Sequence, residues 1–459
     1  MKPSGAASDE VSRHMRDLTA FVAAGADRVL TEAVALKGKV HLLDTLASMI
    51  SGTNLPPGKI AIEFASKQAG LGSASIVGTS HLVPCVTAAF ANGMLGHADE
   101  TDDSHADSTT HPGCAVVPAA LAFAEVNRRS GMNLLNAVVT GYEVGARINM
   151  ALGPNGLRSM GHGPHSIGGH WGACSAGATL SSFNEQQIRF AFSYTAQQAA
   201  GINCWMRDQS HVLKAFVFGG MPSRNGAFAT EMVAEGFTGI DDVLAGRGNF
   251  LFAFSEDPKP EILSKGLGTD YVMTTTAIKK WTVGTPIQGA LDSLLAIMTE
   301  QRLGRSDIAR VRARVPDFAA PVVDNREMPA INLQYCLAVM ILDGTLTFAS
   351  AHDDARMADP EVLAVKSLIE LVPDHELAVA VPARQAIIEL DTKDGRTFSN
   401  RTRYVRGTPG DPMTTDEVIA KATELMVPIL GRERSDGLVD AVMSIEKLAD
   451  AATLRKFWS

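Results

Sequence analysis

The sequence predicts a mainly α-helical fold, with a discontinuous, all-helical main domain and a smaller α+β domain inserted as a lid. Apolar residues recur at the helical spacing of about 3.6 residues from residue 18 to residue 250. After residue 270 two stretches alternate apolar and polar residues, as strands do, and helical spacing then returns. We therefore expect three segments: a helical main domain at 1–272, an α+β lid domain at 273–408, and C-terminal helices at 409–459 that rejoin the main domain.

Four stretches of the main domain have clear helical spacing. They are ALKGKVHLLDTLASMIS, PCVTAAFANGMLGHA, VVPAALAFAEVNRR and LLNAVVTGYEVGARINMALG. Small residues such as Ala119 and Gly172 allow these helices to pack closely. Glycine and proline clusters at 153–156 and 161–164 predict loops between helices.

The α+β domain is predicted from two strand-like stretches. Residues 307–318 alternate apolar and polar, and residues 386–406 are typical of two strands joined by a turn at Lys393-Asp394-Gly395. Residues 332–350 between them return to helical spacing. The sequence PGDP at 409–412 predicts a hinge back to the main domain.

Composition restricts the possible functions. The chain has 459 residues, of which 46% are hydrophobic, and a formal charge of −9, which disfavours nucleic acid or an anionic membrane as partner. The five cysteines contain no CxxC pair, and no run of 18 apolar residues or apolar N-terminal leader occurs. We expect a cytoplasmic protein with neither signal peptide nor membrane span.

One segment, HADETDDSHADSTTHP at 97–112, concentrates three histidines and five carboxylates, although only 20% of the chain is charged. If it continued a helix, like charges three or four residues apart would lie about 6 Å from each other and repel by roughly 3 kcal/mol. Such a cluster is tolerated when its charges are neutralised, as in acid/base and binding sites. The alternative is a fully solvated acidic loop.

This segment supports several interpretations. The tripeptides His97-Ala98-Asp99 and His105-Ala106-Asp107 offer nitrogen and oxygen ligands for a divalent metal. His111, directly before an apolar helix, lies at a helix entrance, where backbone N–H groups favour an anion. A structural turn histidine would explain the same spacing.

Weaker candidates lie further along the chain. The glycine-rich turn with His162 and His165 could bring backbone amides close to a carboxylate. Arg207 and Lys214 lie in a basic stretch beside Gly219-Gly220 that is consistent with an anion site, although a helix surface explains the lysine equally well. The α+β domain adds Lys279, Lys280 and Tyr335 if it closes as a lid; a surface lysine pair and a core tyrosine are the alternatives.

In their order these segments resemble the MmgE/PrpD family, which includes dehydratases, decarboxylases and epimerases of carboxylic acids. The resemblance is carried by AAFANGMLGHADETDDSH, by THPGCAVVPAALA, by Lys214 with Gly219 and 223–226, and by Gly410-Asp411-Pro412. The sequence departs from the family pattern where Gly163 and Val217 stand at expected histidines. A register shift of one residue places Phe218 at the second position instead, and 282–285 lacks a third histidine.

The resemblance implies a helical main domain, an α+β lid, a homodimer, and no metal or organic cofactor. It places Glu100 or Asp99, Ser104, His111, Lys214, Lys279 or Lys280, and Tyr335 against a small carboxylate substrate. The candidate catalytic residues are His111, Lys214, Glu100, Asp99, Asp103 and Tyr335. The candidate substrate-binding residues are Ser104, Arg207, His162, His165, Lys279 and Lys280.

The expected chemistry is proton transfer next to a carboxylate. His111 would act as acid or base near neutral pH, and Glu100, Asp99 or Asp103 would orient it or assist the second proton transfer. Basic residues would hold the substrate. A cofactor-independent dehydratase of a small hydroxy di- or tricarboxylic acid, with Tyr335 protonating the leaving hydroxyl, is the first hypothesis. An epimerase or a decarboxylase uses the same groups. A metal-dependent hydrolase and a non-catalytic helical binding protein are the alternatives from other classes, and the sequence leaves the substrate open.

Overall fold

A computed structural model describes residues 11–459. The expectation of no signal peptide falls in part on residues 1–10, which lie outside the described residues. The chain divides into two compact units. The helical unit comprises the described chain up to Ala98, Asp102–Thr276 and Ile419–Ser459, and the α+β unit comprises Asp99–Thr101 and Ala277–Val418. The domain bounds 1–272, 273–408 and 409–459 stay a prediction.

The first part of the chain is helical, as predicted, apart from one short antiparallel strand pair. Its elements are α1 (Arg13–Ala23), α2 (Glu32–Gly52), α3 (Pro56–Ser66), β1 (Ala74–Ser75), β2 (Leu82–Val83), α4 (Cys85–Gly96), α5 (Pro112–Val126), α6 (Gly131–Leu152), α7 (Pro154–Ser159), α8 (Pro164–Leu180), α9 (Glu185–Gln197), α10 (Val212–Ala215), α11 (Met221–Ala234) and α12 (Phe250–Phe254). A 3₁₀ turn covers Asn203–Arg207, and a π-helical turn at Phe216–Gly220 joins α10 to α11.

Capping and small residues explain how these helices form and pack. Ser130 and Asn133 form a capping box that begins α6. A Cβ atom on Gly172 of α8 would lie 2.7 Å from the carbonyl oxygen of Gly141 on α6, so only glycine allows the two backbones to come this close. The predicted close packing of helices through small residues is confirmed.

The two predicted loops differ in outcome. A turn does separate α7 from α8, and Gly161 there has a φ of +86°. At 153–156 the prediction is wrong beyond its first residue. Gly153 turns with a φ of +77°, but Pro154 already begins α7, because the fixed φ of proline suits the first position of a helix.

The α+β unit contains a four-stranded mixed sheet. Its elements are α13 (Thr285–Gln301), β3 (Ile308–Pro316), α14 (Ala320–Val323), α15 (Leu333–Asp343), α16 (Phe348–Ala351), α17 (Pro360–Lys366), β4 (Ile369–Asp374), α18 (His375–Ala378), β5 (Ala386–Thr392) and β6 (Thr397–Thr402). The strand order is β4-β3-β5-β6, with β3 parallel to β4 and antiparallel to β5. Apolar residues of α13, α15, β3 and β5 form one core.

The predicted strands β3, β5 and β6 and the turn at Gly395, with a φ of +88°, are confirmed. Strand β4 is not among the predicted elements. The predicted helix at 332–350 is interrupted, because Gly344 ends α15 in a left-handed conformation at a φ of +74°.

The C-terminal part returns to helix, as predicted. It contains α19 (Thr415–Leu430) and α20 (Arg432–Met443). Near the predicted hinge, Arg406 pairs with Asp411 and Glu417. None of the helices in the described part of the chain is long and apolar enough to cross a membrane.

Candidate active site

The acidic, histidine-rich segment is neither a helix nor a solvated loop. Helix α4 ends at Gly96 and α5 begins at Pro112, with irregular backbone between them. Of the five carboxylates only Asp107 is exposed, and the other four are buried. The charges therefore do not repeat at helical spacing, and the alternative of a solvated acidic loop is wrong, because water does not screen most of them. Hydrogen bonds and ion pairs neutralise them instead.

Asp102 binds two histidines at once. Its Oδ2 atom lies 2.9 Å from Nδ1 of His97, and its Oδ1 atom lies 3.1 Å from Nδ1 of His111. Because an ionised carboxylate only accepts hydrogen bonds, each Nδ1 carries a proton, and Nε2 becomes the atom that gains or loses one. The side chain of His111 is 11% exposed, whereas those of His97 and Asp102 are 0% exposed. Of the two rings, His111 is the one that a solute can reach.

Asp103, the next residue, makes a separate network. It lies 2.9 Å from Nδ1 of His41 and accepts hydrogen bonds from the hydroxyl of Tyr142 at 2.7 Å and from the amide of Gly113 at 2.9 Å. Gly113 belongs to the first turn of α5, so the anion predicted at this helix entrance is the protein's own carboxylate. Burial and the nearby Asp103 charge raise the pKa of Tyr142 well above its usual value. Asp103 thus anchors the start of α5 directly after His111.

Aromatic rings enclose this histidine pair. The ring of Phe218 lies between two histidine rings. Its centroid is 4.4 Å from that of His97, at an interplanar angle of 14°, and 4.1 Å from that of His165, at 17°. The ring of His111 lies 5.1 Å from that of His97 and 5.8 Å from that of His165. Burial lowers the pKa of His165 well below its usual value, and the charge of His111 acts in the same direction. His165 is therefore a neutral ring near neutral pH.

The π-helical turn explains how Phe218 reaches this position. Isolated π turns inside helices often occur at functional sites, because the extra residue redirects side chains. Here the turn packs directly on α4: a Cβ atom on Gly219 would lie 2.0 Å from the carbonyl oxygen of Gly93. Gly93 and Gly219 let the two backbones come into contact. This contact places Phe218 beside His97, which follows the end of α4.

Lys214 brings a positive charge to the same group of rings. Its Nζ atom lies 5.2 Å from the ring centroid of Trp205 and 5.3 Å from that of Phe218. Trp205 packs edge-on against Phe218 at 4.8 Å. Asp208 accepts a hydrogen bond from the backbone amide of Lys214, which fixes the start of α10. A half-buried ammonium over aromatic faces is suited to holding an anionic ligand.

Three other predicted residues of the helical unit have different surroundings. His162 packs against Phe254 at 5.4 Å and forms a backbone bridge with Ile202. Arg207 is exposed at the end of its 3₁₀ turn, and Ser104 is buried. The structure therefore brings His111, His165 and Lys214 together and places His162 in another group of contacts.

The α+β unit holds the remaining candidates, and three of them, Lys279, Glu100 and Asp99, belong to two buried pairs. Lys279 donates a hydrogen bond to the carbonyl oxygen of Glu100 at 2.6 Å and lies 4.0 Å from its carboxylate. Asp99 lies 2.9 Å from His352. Burial opposes the charged form of each group in this second pair, but their contact with each other lowers the pKa of Asp99 and raises that of His352.

Tyr335 and Lys280 have other surroundings. Tyr335 lies in the core of the α+β unit, where its hydroxyl donates a hydrogen bond to the carbonyl oxygen of Ser350 at 2.6 Å. Burial raises its pKa. This placement favours the core-tyrosine alternative. Lys280 lies 4.3 Å over the ring of Trp281 and borders a groove of about 660 Å³ between α13 and β6.

Metal binding was one interpretation of the twin HAD tripeptides. In the structure Asp107 is exposed and His105 Nδ1 bonds to the hydroxyl of Ser108 at 2.8 Å. Another group of possible ligands, His97, Asp102 and Cys114, has its donor atoms within 4.8 Å of one another. Asp102 already binds two histidines, and the Cys114 thiol donates to backbone carbonyl oxygens. This donor set is arranged as a hydrogen-bonded network.

Two residues of the site, Asp102 and Phe218, are not among the candidates from the sequence. His97 is, as a possible metal ligand and as a support for the site around His111. A signal existed for Phe218, which after a register shift of one residue occupies one of the three positions where the resemblance expects a histidine. For Asp102 the signal was the Asp-Asp pair in the segment that carries the resemblance, but spacing alone does not single it out, since five carboxylates share that segment.

Comparisons with known proteins decide the family. The MmgE/PrpD N-terminal domain model matches residues 16–263, and the C-terminal domain model matches residues 281–445. The chain belongs to the MmgE/PrpD family. The resemblance inferred from the motifs is confirmed.

The relatives are similar over nearly their whole length. Human cis-aconitate decarboxylase is 26% identical over 445 residues, covering 93% of this chain and 90% of the relative. The cis-aconitate decarboxylase-like protein oryM of Aspergillus oryzae is 25% identical, covering 92% of each chain. A cis-aconitate decarboxylase of Aspergillus terreus is 22% identical, covering 91% of this chain and 90% of the relative. These matches support an enzyme of the lyase type.

Proposed function

We propose that this protein is a lyase that removes a carboxylate as CO₂ from a small unsaturated di- or tricarboxylic acid and protonates the carbon left behind. The observation that carries the proposal is the hydrogen bond from His111 to Asp102, with Lys214 in the same group of rings. A histidine held by a carboxylate is a proton donor near neutral pH, and an ammonium supplies the anchor that an anionic substrate needs in an acidic protein.

The residues divide the work by their geometry. The carbon–carbon bond to the leaving carboxylate breaks, CO₂ departs, and the electron pair stays on the substrate, spread towards a neighbouring carboxyl group. The imidazolium of His111 then donates the proton on Nε2 to carbon. Asp102 holds Nδ1–H and stabilises the positive ring before the transfer. Lys214 binds a remaining carboxylate and opposes the negative charge that develops.

Decarboxylation replaces dehydration as the first hypothesis for two reasons. The relatives described above are decarboxylases or decarboxylase-like, and they match over about nine-tenths of their length. Dehydration also needs an acid at the leaving hydroxyl. Tyr335, the residue expected to supply it, instead donates a hydrogen bond to the backbone carbonyl oxygen of Ser350 in a core. Independence of cofactors, a homodimer and a cytoplasmic location stay predictions.

The test is turnover in D₂O followed by proton NMR. We expect cis-aconitate, among a panel with citrate, 2-methylcitrate and iminodisuccinate, to lose CO₂ and gain one deuteron on carbon. His111→Ala should lower the rate at least about 100-fold, as the loss of a general acid does. His375→Ala, at a histidine whose side chain is 84% exposed in the α+β unit, is the matched control. No reaction with any member of the panel, or an active His111→Ala enzyme, would contradict the proposal.

A further inference from the structure

We propose that His97 is a positioning residue that sets the proton affinity of His111 through the carboxylate that the two histidines share. The inference rests on the proposed function for its catalytic meaning, since it concerns the same proton donor. It adds a residue that never has to touch the substrate.

The geometry makes His97 part of the site without making it accessible. Its side chain is 0% exposed, its ring is stacked on Phe218, and its Nδ1 atom lies 2.9 Å from Asp102. Within residues 11–459 no hydrogen-bond partner is found for its Nε2 atom. The hydrogen bond that its buried ring does make is thus directed at Asp102, the residue that also holds His111.

Because Asp102 accepts hydrogen bonds from both histidines, it stabilises the protonated form of each less than it would alone. A carboxylate that accepts a charge-assisted hydrogen bond from one side has less negative charge to offer the other, so His111 binds its proton less tightly than it would with Asp102 to itself. Removing the donor at His97 should therefore raise the pKa of His111 by about one unit. A histidine that is too basic stays protonated but donates poorly, which lowers the rate of proton delivery.

Other titratable groups face this pair within the helical unit, namely His165, His211, Lys214 and Cys114. All four residues are still present in the chain when His97 is replaced. A comparison of two variants at position 97 cancels their contribution.

The experiment compares His97→Phe with His97→Asn. Phenylalanine keeps the ring stacked on Phe218 but has no donor, whereas the amide of asparagine can occupy the position of Nδ1 and still donate to Asp102. The imidazole of His111 is titrated by NMR with ¹³C-labelled histidine and assigned by its loss in His111→Ala. His97→Leu is a second donor-free variant if His97→Phe does not fold.

We expect the pKa of His111 to rise by about one unit in His97→Phe and to stay near the wild-type value in His97→Asn, with the pH profile of kcat/KM moving in parallel. Equal shifts in both variants, or no shift in His97→Phe, would overturn the inference. The titration needs no substrate, so it gives its answer even if none of the proposed carboxylic acids is turned over. Conversely, turnover without the expected shift leaves the proposed function intact.

Discussion

Asp102 and Asp103 are neighbours in sequence, are both fully buried and both bind histidine, yet they form networks of different kinds. All three side-chain and backbone partners of Asp103 are buried. Asp102 instead connects the interior to His111, whose side chain is 11% exposed. Burial and a histidine partner are therefore not enough to tell the two carboxylates apart. What distinguishes Asp102 is that one of its partners remains within reach of a solute.

The same comparison separates stability from reactivity. Asp103 joins α2, α5 and α6 through His41, Gly113 and Tyr142, and its loss would leave three donors without an acceptor. Asp102 joins the residues on either side of the segment between α4 and α5, and its loss would release the ring of His111. We expect the first carboxylate to matter most for folding and the second for the rate.

The largest expected effect is the loss of stability in Asp103→Ala. Breaking a buried network by removing its charged member costs about 3–5 kcal/mol in the free energy of unfolding. Urea unfolding measures it. Asp107→Ala, in the same segment but exposed, is the control and should change stability by less than about 0.5 kcal/mol. Equal stability of the two variants would show that the Asp103 network does not hold the fold together.

The next effect is on the rate in Asp102→Asn. Asparagine has one oxygen and one N–H₂ group, so one of the two histidines would face a donor instead of an acceptor. That histidine would no longer be held in the tautomer that carries a proton on Nδ1. We expect kcat/KM to fall about 100-fold, which corresponds to roughly 3 kcal/mol. The comparison is with Asp103→Asn at equal concentrations of folded enzyme. If both substitutions slow the reaction equally, the distinction between the two carboxylates is wrong.

The sequence predicts those parts of the fold that depend on local pattern. Strands β3, β5 and β6 alternate in polarity, and the four helical stretches keep their spacing, so each is recognisable by itself. Strand β4 is recognised only through its parallel pairing with β3, from Val311 opposite Ile369 to Pro316 opposite Asp374, which no local pattern contains. The turn at Gly153 is local, whereas the short helix that starts at Pro154 has too few residues to show a helical repeat.

The site, like the fold, is predictable from the sequence only where it depends on local pattern. The motif THPG predicts a histidine at a helix entrance, and His111 is there. Which of the crowded carboxylates binds which histidine depends on an irregular segment, in which the consecutive residues Asp102 and Asp103 bind different histidines. The apolar run LQYCLAVMI around Tyr335 does carry a usable signal, because a tyrosine in such a run is usually part of a core.

The smallest expected effect concerns a buried histidine that has no carboxylate partner of this kind. The Nδ1 atom of His170 lies 2.6 Å from the carbonyl oxygen of Ser166, and its Nε2 atom lies 3.0 Å from the side-chain amide nitrogen of Asn225. Burial lowers its pKa to about 4, and the charge of Arg224 acts in the same direction. Comparing His170 with the histidines bound to Asp102 and Asp103 tests how a carboxylate partner affects proton binding by a buried histidine in the same unit.

Below its unfolded-state pKa near 6.5 the unfolded chain takes up a proton at His170 that the folded chain refuses, so stability falls as the pH falls from 7 towards 4. Between pH 7 and pH 5 this residue should remove about 2 kcal/mol. His170→Gln, which keeps an amide for hydrogen bonding but cannot titrate, should lose that much less than the wild type in urea unfolding at the two pH values. Identical losses in His170→Gln and the wild type would mean that the folded protein binds the proton at His170 as readily as the unfolded chain. The lack of a carboxylate partner would then not distinguish His170 from His97 and His111, the two histidines bound to Asp102.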